Sequence, residues 1–178
     1  MMRRTTAETD ISVALGTEAT TIRLDDPTLA HMLRTLFYYM KKTAFVEAQY
    51  DLRHHLWEDM GITIGCEIKS RYDRERIQRY GTAFIPMDDA LVMVALDFSR
   101  GFVKFDLACA SSEEGFEPGL FREFLWGLAR NASLTVHVKQ LSGTNPHHIL
   151  EAGFKALGSA MRIALEPSEE SVTTKGVL

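Results

Sequence analysis

Apolar residues along this chain follow two rhythms, and the rhythms alternate in the same order twice. From Thr9 to Leu15 apolar and polar positions alternate with a period of two, as a half-buried strand requires, and residues 20–24 form a second short run able to pair with it. Pro27 then opens a stretch of helical period reaching about Met40, Ala44–Tyr50 returns to strand character, and a second helix is predicted from His54 to about Arg71. The second half repeats this. Ala90–Phe98 and residues 102–108 read as strands separated by the short turn Ser99-Arg100-Gly101. Pro118 begins a helix to about Arg130, residues 133–141 form a strand, and Pro146 sits in the first turn of a last helix. The order in each half is strand, strand, helix, strand, helix. The pattern predicts an α+β fold made of an internally duplicated two-layer unit. The first repeat half covers 1–71, a connector covers 72–88, within which 83–85 could add a strand, and the second half covers 89–178.

Composition narrows the class without choosing a function. The 178 residues are 46% hydrophobic and 25% charged, which suits one ordinary domain or two closely packed halves and excludes a disordered chain. Twenty basic against twenty-four acidic residues leave a formal charge of −4, without the basic excess of a nucleic-acid binder. No apolar run approaches the roughly 18 residues of a membrane span. The start, Met1-Met2-Arg3-Arg4-Thr5-Thr6, has no apolar stretch behind its basic residues, so no secretory signal is read and the expected compartment is the cytoplasm. Two cysteines, Cys66 and Cys109, make neither a disulfide framework nor a Cys-rich zinc site.

The histidines carry the chemistry. Four of the six stand as adjacent pairs, His54-His55 and His147-His148, each followed by a glutamate (Glu58, Glu151) and later by a glycine (Gly65, Gly158) at one constant offset of 93 residues: 54 to 147, 58 to 151, 65 to 158. Half a chain is the spacing of a duplication, not of a solenoid. Successive helical residues point about 100° apart, so adjacent histidines serve two different ions more easily than one. Glu58 lies four residues after His54 and three after His55, sharing a face with either, and Glu151 repeats the arrangement. Imidazole plus carboxylate suits manganese, iron or zinc. One such motif alone is most simply a solvated helix face; its recurrence in a chain with so few histidines points to metal. His31, in the first helix, and His137, on a strand, are not repeat equivalents, and from the residues alone each reads as evenly a metal ligand as a packed or surface histidine. Six histidines and two glutamates suffice for two sites of three His and one Glu, each with positions open for substrate or water. At the end, Thr173, Thr174, Lys175 and Gly176 could cradle a phosphate, although residue types alone favour a frayed tail.

The motifs resemble those of one family along essentially the whole chain. His-His-x-x-Glu-Asp, Asn-x-His-His-x-x-Glu-Ala, and the ending Thr-Lys-Gly-Val-Leu are similar to imidazoleglycerol-phosphate dehydratase of histidine biosynthesis. So are Thr5-Thr6-Ala7-Glu8-Thr9, Arg79-Tyr80-Gly81, Pro86-Met87-Asp88-Asp89-Ala90-Leu91, Leu134-Thr135-Val136-His137 and Glu151-Ala152-Gly153-Phe154-Lys155-Ala156. The resemblance implies a lyase that removes water from imidazole glycerol phosphate to give imidazole acetol phosphate. It implies two Mn(2+) per site, and trimers assembled into a 24-subunit shell with active sites shared between subunits. It places metal ligands at His31, His54, His55, Glu58, His137, His147, His148 and Glu151, which uses every histidine. Phosphate and substrate contacts fall at Arg79, Lys155, Thr173 and Lys175, with Arg100 standing one place from an expected arginine. Glu8 falls near the reacting carbons, and Glu8 and Glu151 are the candidates for proton transfer. The first half departs from the pattern at Ala30, Thr35, Tyr39 and Leu52-Arg53, the last replacing an acidic stretch. Two other readings stay open: a metal-organised shell that has lost or altered the activity, and a metal-dependent phosphoester hydrolase using the same ligands.

Overall fold

The computed structural model describes residues 1–108 and 115–169. Two four-stranded sheets form the outside and four helices lie between them. In the first half the elements are β1 (Met2–Thr5), β2 (Thr9–Leu15), β3 (Thr21–Arg23), α1 (Pro27–Met40), β4 (Ala44–Tyr50) and α2 (Arg53–Arg71). A 3₁₀ turn (Arg74–Arg76) leads to the second half, with β5 (Tyr80–Met87), β6 (Ala90–Phe98), β7 (Phe102–Asp106), α3 (Pro118–Ala132), β8 (Leu134–Ser142) and α4 (Pro146–Ala164). The sheet orders are β1-β2-β4-β3 and β5-β6-β8-β7, so the duplication is complete in topology.

Strict alternation in β2 and β6 buries one face of each sheet and leaves the other to solvent. On the inner side, α2 lies over β1, β2 and β4, and α4 lies over β5 and β6. The halves interlock, because α2 packs on α3 and α4 packs on α1. The glycines of the duplicated motif explain how closely. A Cβ on Gly65 would come within 2.7 Å of the Leu128 carbonyl oxygen, and one on Gly158 within 2.4 Å of that of Leu36. Each motif helix therefore crosses the other half's first helix backbone to backbone, around one continuous apolar core. Among the described residues no helix is long and apolar enough to cross a membrane.

Two strand pairings differ from expectation. Residues 21–23 do not pair with β2; β3 runs parallel to β4, because β1 and β4 already occupy both edges of β2. Likewise β7 does not form a hairpin with β6 across Ser99-Arg100-Gly101 but runs parallel to β8, since β5 and β8 hold both edges of β6. The structure adds two strands to those that the residue pattern predicts. β1 is a short edge strand rich in arginine, and β5 spans 80–87 in the stretch read as a connector, where only 83–85 were suspected.

Candidate active site

All four helices point the same way. Gly158 meets residues 36–40 of α1 while His147 and Glu151 meet His31, which sets α1 and α4 parallel; Gly61 and Gly65 meet residues 124–132 in order, which does the same for α2 and α3. Their first turns are joined by Arg53, whose side chain bonds Asp26 ahead of α1 and Glu117 ahead of α3. Both histidine pairs, each in the first turn of its helix, consequently lie at one end of the molecule.

At that end His31 of α1 and His147 of α4 converge on Glu151. His31 Nε2 lies 3.2 Å and His147 Nε2 3.0 Å from the same carboxylate oxygen, Oε2, and the three ligand atoms all lie within 4.8 Å of one another. The other oxygen, Oε1, accepts from Lys155 Nζ at 3.0 Å. Glu151 is buried while His31 is exposed, so the group opens outward. Burial pushes the Glu151 carboxyl up, but Lys155 and the imidazoles of His31 and His147 outweigh it and hold the carboxyl below its ordinary range. Among the described residues this is the one grouping of three or more His, Cys, Asp or Glu side chains close enough to share a cation. The donor set fits one. Two ligands at right angles about a first-row ion, each about 2.1 Å from it, stand about 3 Å apart.

Two further imidazoles, those of His148 and His55, are aimed by carboxylates. His148 Nδ1 lies 2.7 Å from Asp89 Oδ1, and Asp89 Oδ2 accepts the backbone N–H groups of Thr144 (2.6 Å) and Asn145 (3.2 Å). Those N–H groups and the imidazole hold the Asp89 carboxyl well below the usual range. In the first half His55 Nδ1 lies 2.8 Å from Asp51 Oδ1, which raises the pKa of His55, and 3.8 Å from Glu8 Oε2. Orienting a ligand imidazole through its second nitrogen is the usual work of such carboxylates. Asp51 and Asp89 were missed in the sequence because a chain with 24 acidic residues gives no reason to choose them. Phe116, stacked on His147 with ring centroids 4.2 Å apart, was missed for a similar reason.

The other predicted residues are dispersed. His54 is exposed and Glu58 half-buried, both in the first two turns of α2. His137 points to the solvent face of β8, 5.8 Å from the ring of Phe102. Arg79 precedes β5 and clasps Asp97 through Nε (2.6 Å) and Nη2 (3.2 Å). It stands at the end of the sheet opposite the histidine pairs, roughly 25 Å away by the length of an eight-residue strand. Arg100 is exposed near the same end. Lys155, expected at a phosphate, is engaged with Glu151, and its Nζ also lies 3.5 Å from Met87 Sδ. Thr173 and Lys175 lie outside the described residues.

Fold and site together define a duplicated α+β protein with a His-His-Glu group built across its two halves. The profile of the imidazoleglycerol-phosphate dehydratase family matches residues 25–161. The chain is 50% identical to the imidazoleglycerol-phosphate dehydratase of Pyrococcus furiosus over 99% of its own length and 100% of that protein, and 41% identical to that of Metallosphaera sedula over 98% and 96%. A crystal structure of the Pyrococcus furiosus protein superposes with a TM-score of 0.95 over the same lengths. The Staphylococcus aureus enzyme superposes with a TM-score of 0.80 at 29% identity, covering 93% of this chain and 98% of that one. This chain belongs to the imidazoleglycerol-phosphate dehydratase family and is an enzyme of histidine biosynthesis.

Proposed function

We propose that the chain dehydrates imidazole glycerol phosphate to imidazole acetol phosphate at a centre of two divalent cations completed between copies of the chain. The observation that carries this is the convergence of His31 and His147 on one oxygen of Glu151, which needs both halves of the duplication. His31, His147 and Glu151 would hold one cation; His54, His55, Glu58, His137 and His148 are the remaining donors. The donor set accepts manganese, with iron or zinc as chemically allowed substitutes. When bound there, such cations would supply Lewis acidity toward the substrate.

The protein's own side chains do the rest. Elimination needs a base for a carbon-bound proton and a donor to the product carbon. Glu8, which lines an open groove with Asp10, Gln49 and Asp51 and faces His55, is one candidate; Glu151 is the other, with Lys155 fixing its orientation. Arg79, Arg100, Lys155, Thr173 and Lys175 are assigned to the phosphate, where they position and do not react. Shared sites are supported by the dispersal of these groups: His137 on an outer sheet face and Arg79 at the far end lie out of reach of the His31 group in one chain. The assembly that the resemblance implies, trimers forming a 24-subunit shell, would bring them together.

His148→Ala is expected to lose manganese and activity together, and normal turnover by that variant refutes the two-cation centre. Incubating the manganese-loaded protein with imidazole glycerol phosphate separates the competing readings. Ketone product supports the dehydratase, free phosphate the hydrolase, and neither product an inactive shell.

A further inference from the structure

Phe116 lies against the His147 ring almost face to face, with planes 21° apart. The residues on both sides of Phe116 are held by one side chain, that of Arg53. Its Nη2 donates to the Gly115 carbonyl at 3.1 Å and its Nη1 to Glu117 Oε1 at 2.9 Å. Its third nitrogen, Nε, donates to Asp26 Oδ2 at 2.8 Å. Asp26 is buried, caps α1 through the Leu29 N–H at 2.9 Å, and also accepts from the Trp57 indole at 3.0 Å. Gly115 has φ +90°, a conformation open to glycine, and a Cβ there would press to 3.0 Å from Thr28 Oγ1.

We infer that Arg53 is a positioning residue for the His31–His147–Glu151 group: it clamps residues 115–117, and through Phe116 it sets the plane of the His147 ring. The same guanidinium joins the start of α1, five residues before His31, to the start of α2, one residue before His54. The three acceptors are met by three different nitrogens of one planar guanidinium, a spread that a single ammonium nitrogen does not span. An imidazole free to turn about its side-chain torsions points Nε2 at Glu151 only part of the time; one packed on a fixed ring does not have that freedom. Arg53 stands where the resemblance leads to acidic residues, and here Asp26 and Glu117 supply the carboxylates around it. The inference rests on reading the three-residue group as a metal centre.

Manganese alone, titrated into the metal-free full-length protein and followed by the resonance of the free ion, tests it. Arg53→Lys keeps a positive charge beside Asp26 but offers one nitrogen and cannot grip 115 and 117. Its thermal midpoint is expected near that of the parent protein, with manganese binding about 10-fold weaker or more, as for other groups that orient metal ligands. Phe116→Ala, which leaves Asp26 and Arg53 paired, should show the same loss, and the double variant should bind no more weakly than Phe116→Ala alone. Unchanged binding in Phe116→Ala, or losses that multiply in the double variant, overturn the inference. His147→Ala separates the two readings. If it binds manganese normally, the metal centre itself fails and the clamp with it. If it binds weakly while Arg53→Lys and Phe116→Ala bind normally, the clamp alone fails.

Discussion

Replacing Gly158 by alanine pushes one methyl group into the backbone of α1. A Cβ there lies 2.4 Å from the Leu36 carbonyl oxygen, 3.0 Å from Tyr39 Cβ and 3.1 Å from the Met40 nitrogen. A relaxed carbon–oxygen contact is about 3.3 Å, so α4 and α1 must part by roughly 0.9 Å at the crossing. The obstacle is main chain and cannot rotate aside. Overpacking of this kind costs about 1–3 kcal/mol, while alanine recovers up to about 1 kcal/mol of helix propensity. The expected net loss is about 0–2 kcal/mol. Function should suffer more than stability. The crossing lies two turns beyond Glu151 on α4 and little more than one turn beyond His31 on α1, so the displacement reaches the 3.2 Å contact between them along stiff helices. A misplacement near 1 Å at a reacting centre can cost about 100-fold in rate. Urea unfolding followed by circular dichroism reads the first effect, and turnover of imidazole glycerol phosphate with saturating manganese reads the second. Gly119→Ala is the control: in the first turn of α3 its Cβ would meet nothing within 4 Å, and the change should be neutral or stabilising by up to about 1 kcal/mol. A Gly158→Ala protein with parental urea midpoint and parental turnover would show that the crossing does not set the site.

Other substitutions and conditions test separate links. Asp26→Ala strips an acceptor from the Trp57 indole, the Leu29 N–H and Arg53 together, and should cost about 3 kcal/mol in urea unfolding; a loss under 1 kcal/mol would remove the buried carboxylate as the anchor of α1. Burial raises the Asp26 carboxyl, but Arg53, the Leu29 N–H and Trp57 outweigh it, and Glu67 is likewise held low against burial by the Leu15 N–H and Arg71. Both carboxyls sit below their unfolded values, so their contribution is complete above about pH 4 and is lost as pH falls through the folded values. Urea midpoints should therefore drop as pH falls below about 4, while His55, whose pKa Asp51 raises, adds a small gain as pH falls from about 7 to 6; a midpoint that holds or climbs below about pH 4 contradicts the carboxylate assignment. Glu151→Gln keeps the size of the side chain and removes its charge, so manganese binding and turnover should both fall at least 10-fold, read by metal titration and a ketone assay. Stripping metal with a chelator should break the assembly into smaller species on a sizing column if donors come from neighbouring copies, and an unchanged elution volume would argue for sites complete within one chain.

Much of the architecture was legible because it is encoded locally. Pro27, Pro118 and Pro146 mark first helical turns, and the period-two runs of β2 and β6 leave one face for a core. The errors came where pairing is decided by competition for edges. Nothing in residues 21–23 or 102–106 tells that the neighbouring strand is already paired on both sides, so hairpins were read where parallel crossovers stand. The Gly65 and Gly158 pair was visible as a repeat, but its purpose, the close crossing of α2 on α3 and α4 on α1, needs both partners in view.

By itself, the chain's order of residues determined the duplication, the α+β class and which helices carry the histidine pairs, because periodicity and motif spacing depend on neighbours a few residues apart. Only the tertiary structure decided that His31 meets Glu151 across 120 positions, that Asp51 and Asp89 out of many acidic residues aim His55 and His148, and that Arg53 reaches both Asp26 and Glu117. Such contacts are a few ångströms long, and they arise from how whole helices cross, a choice made by the summed burial of the core rather than by any one stretch of sequence.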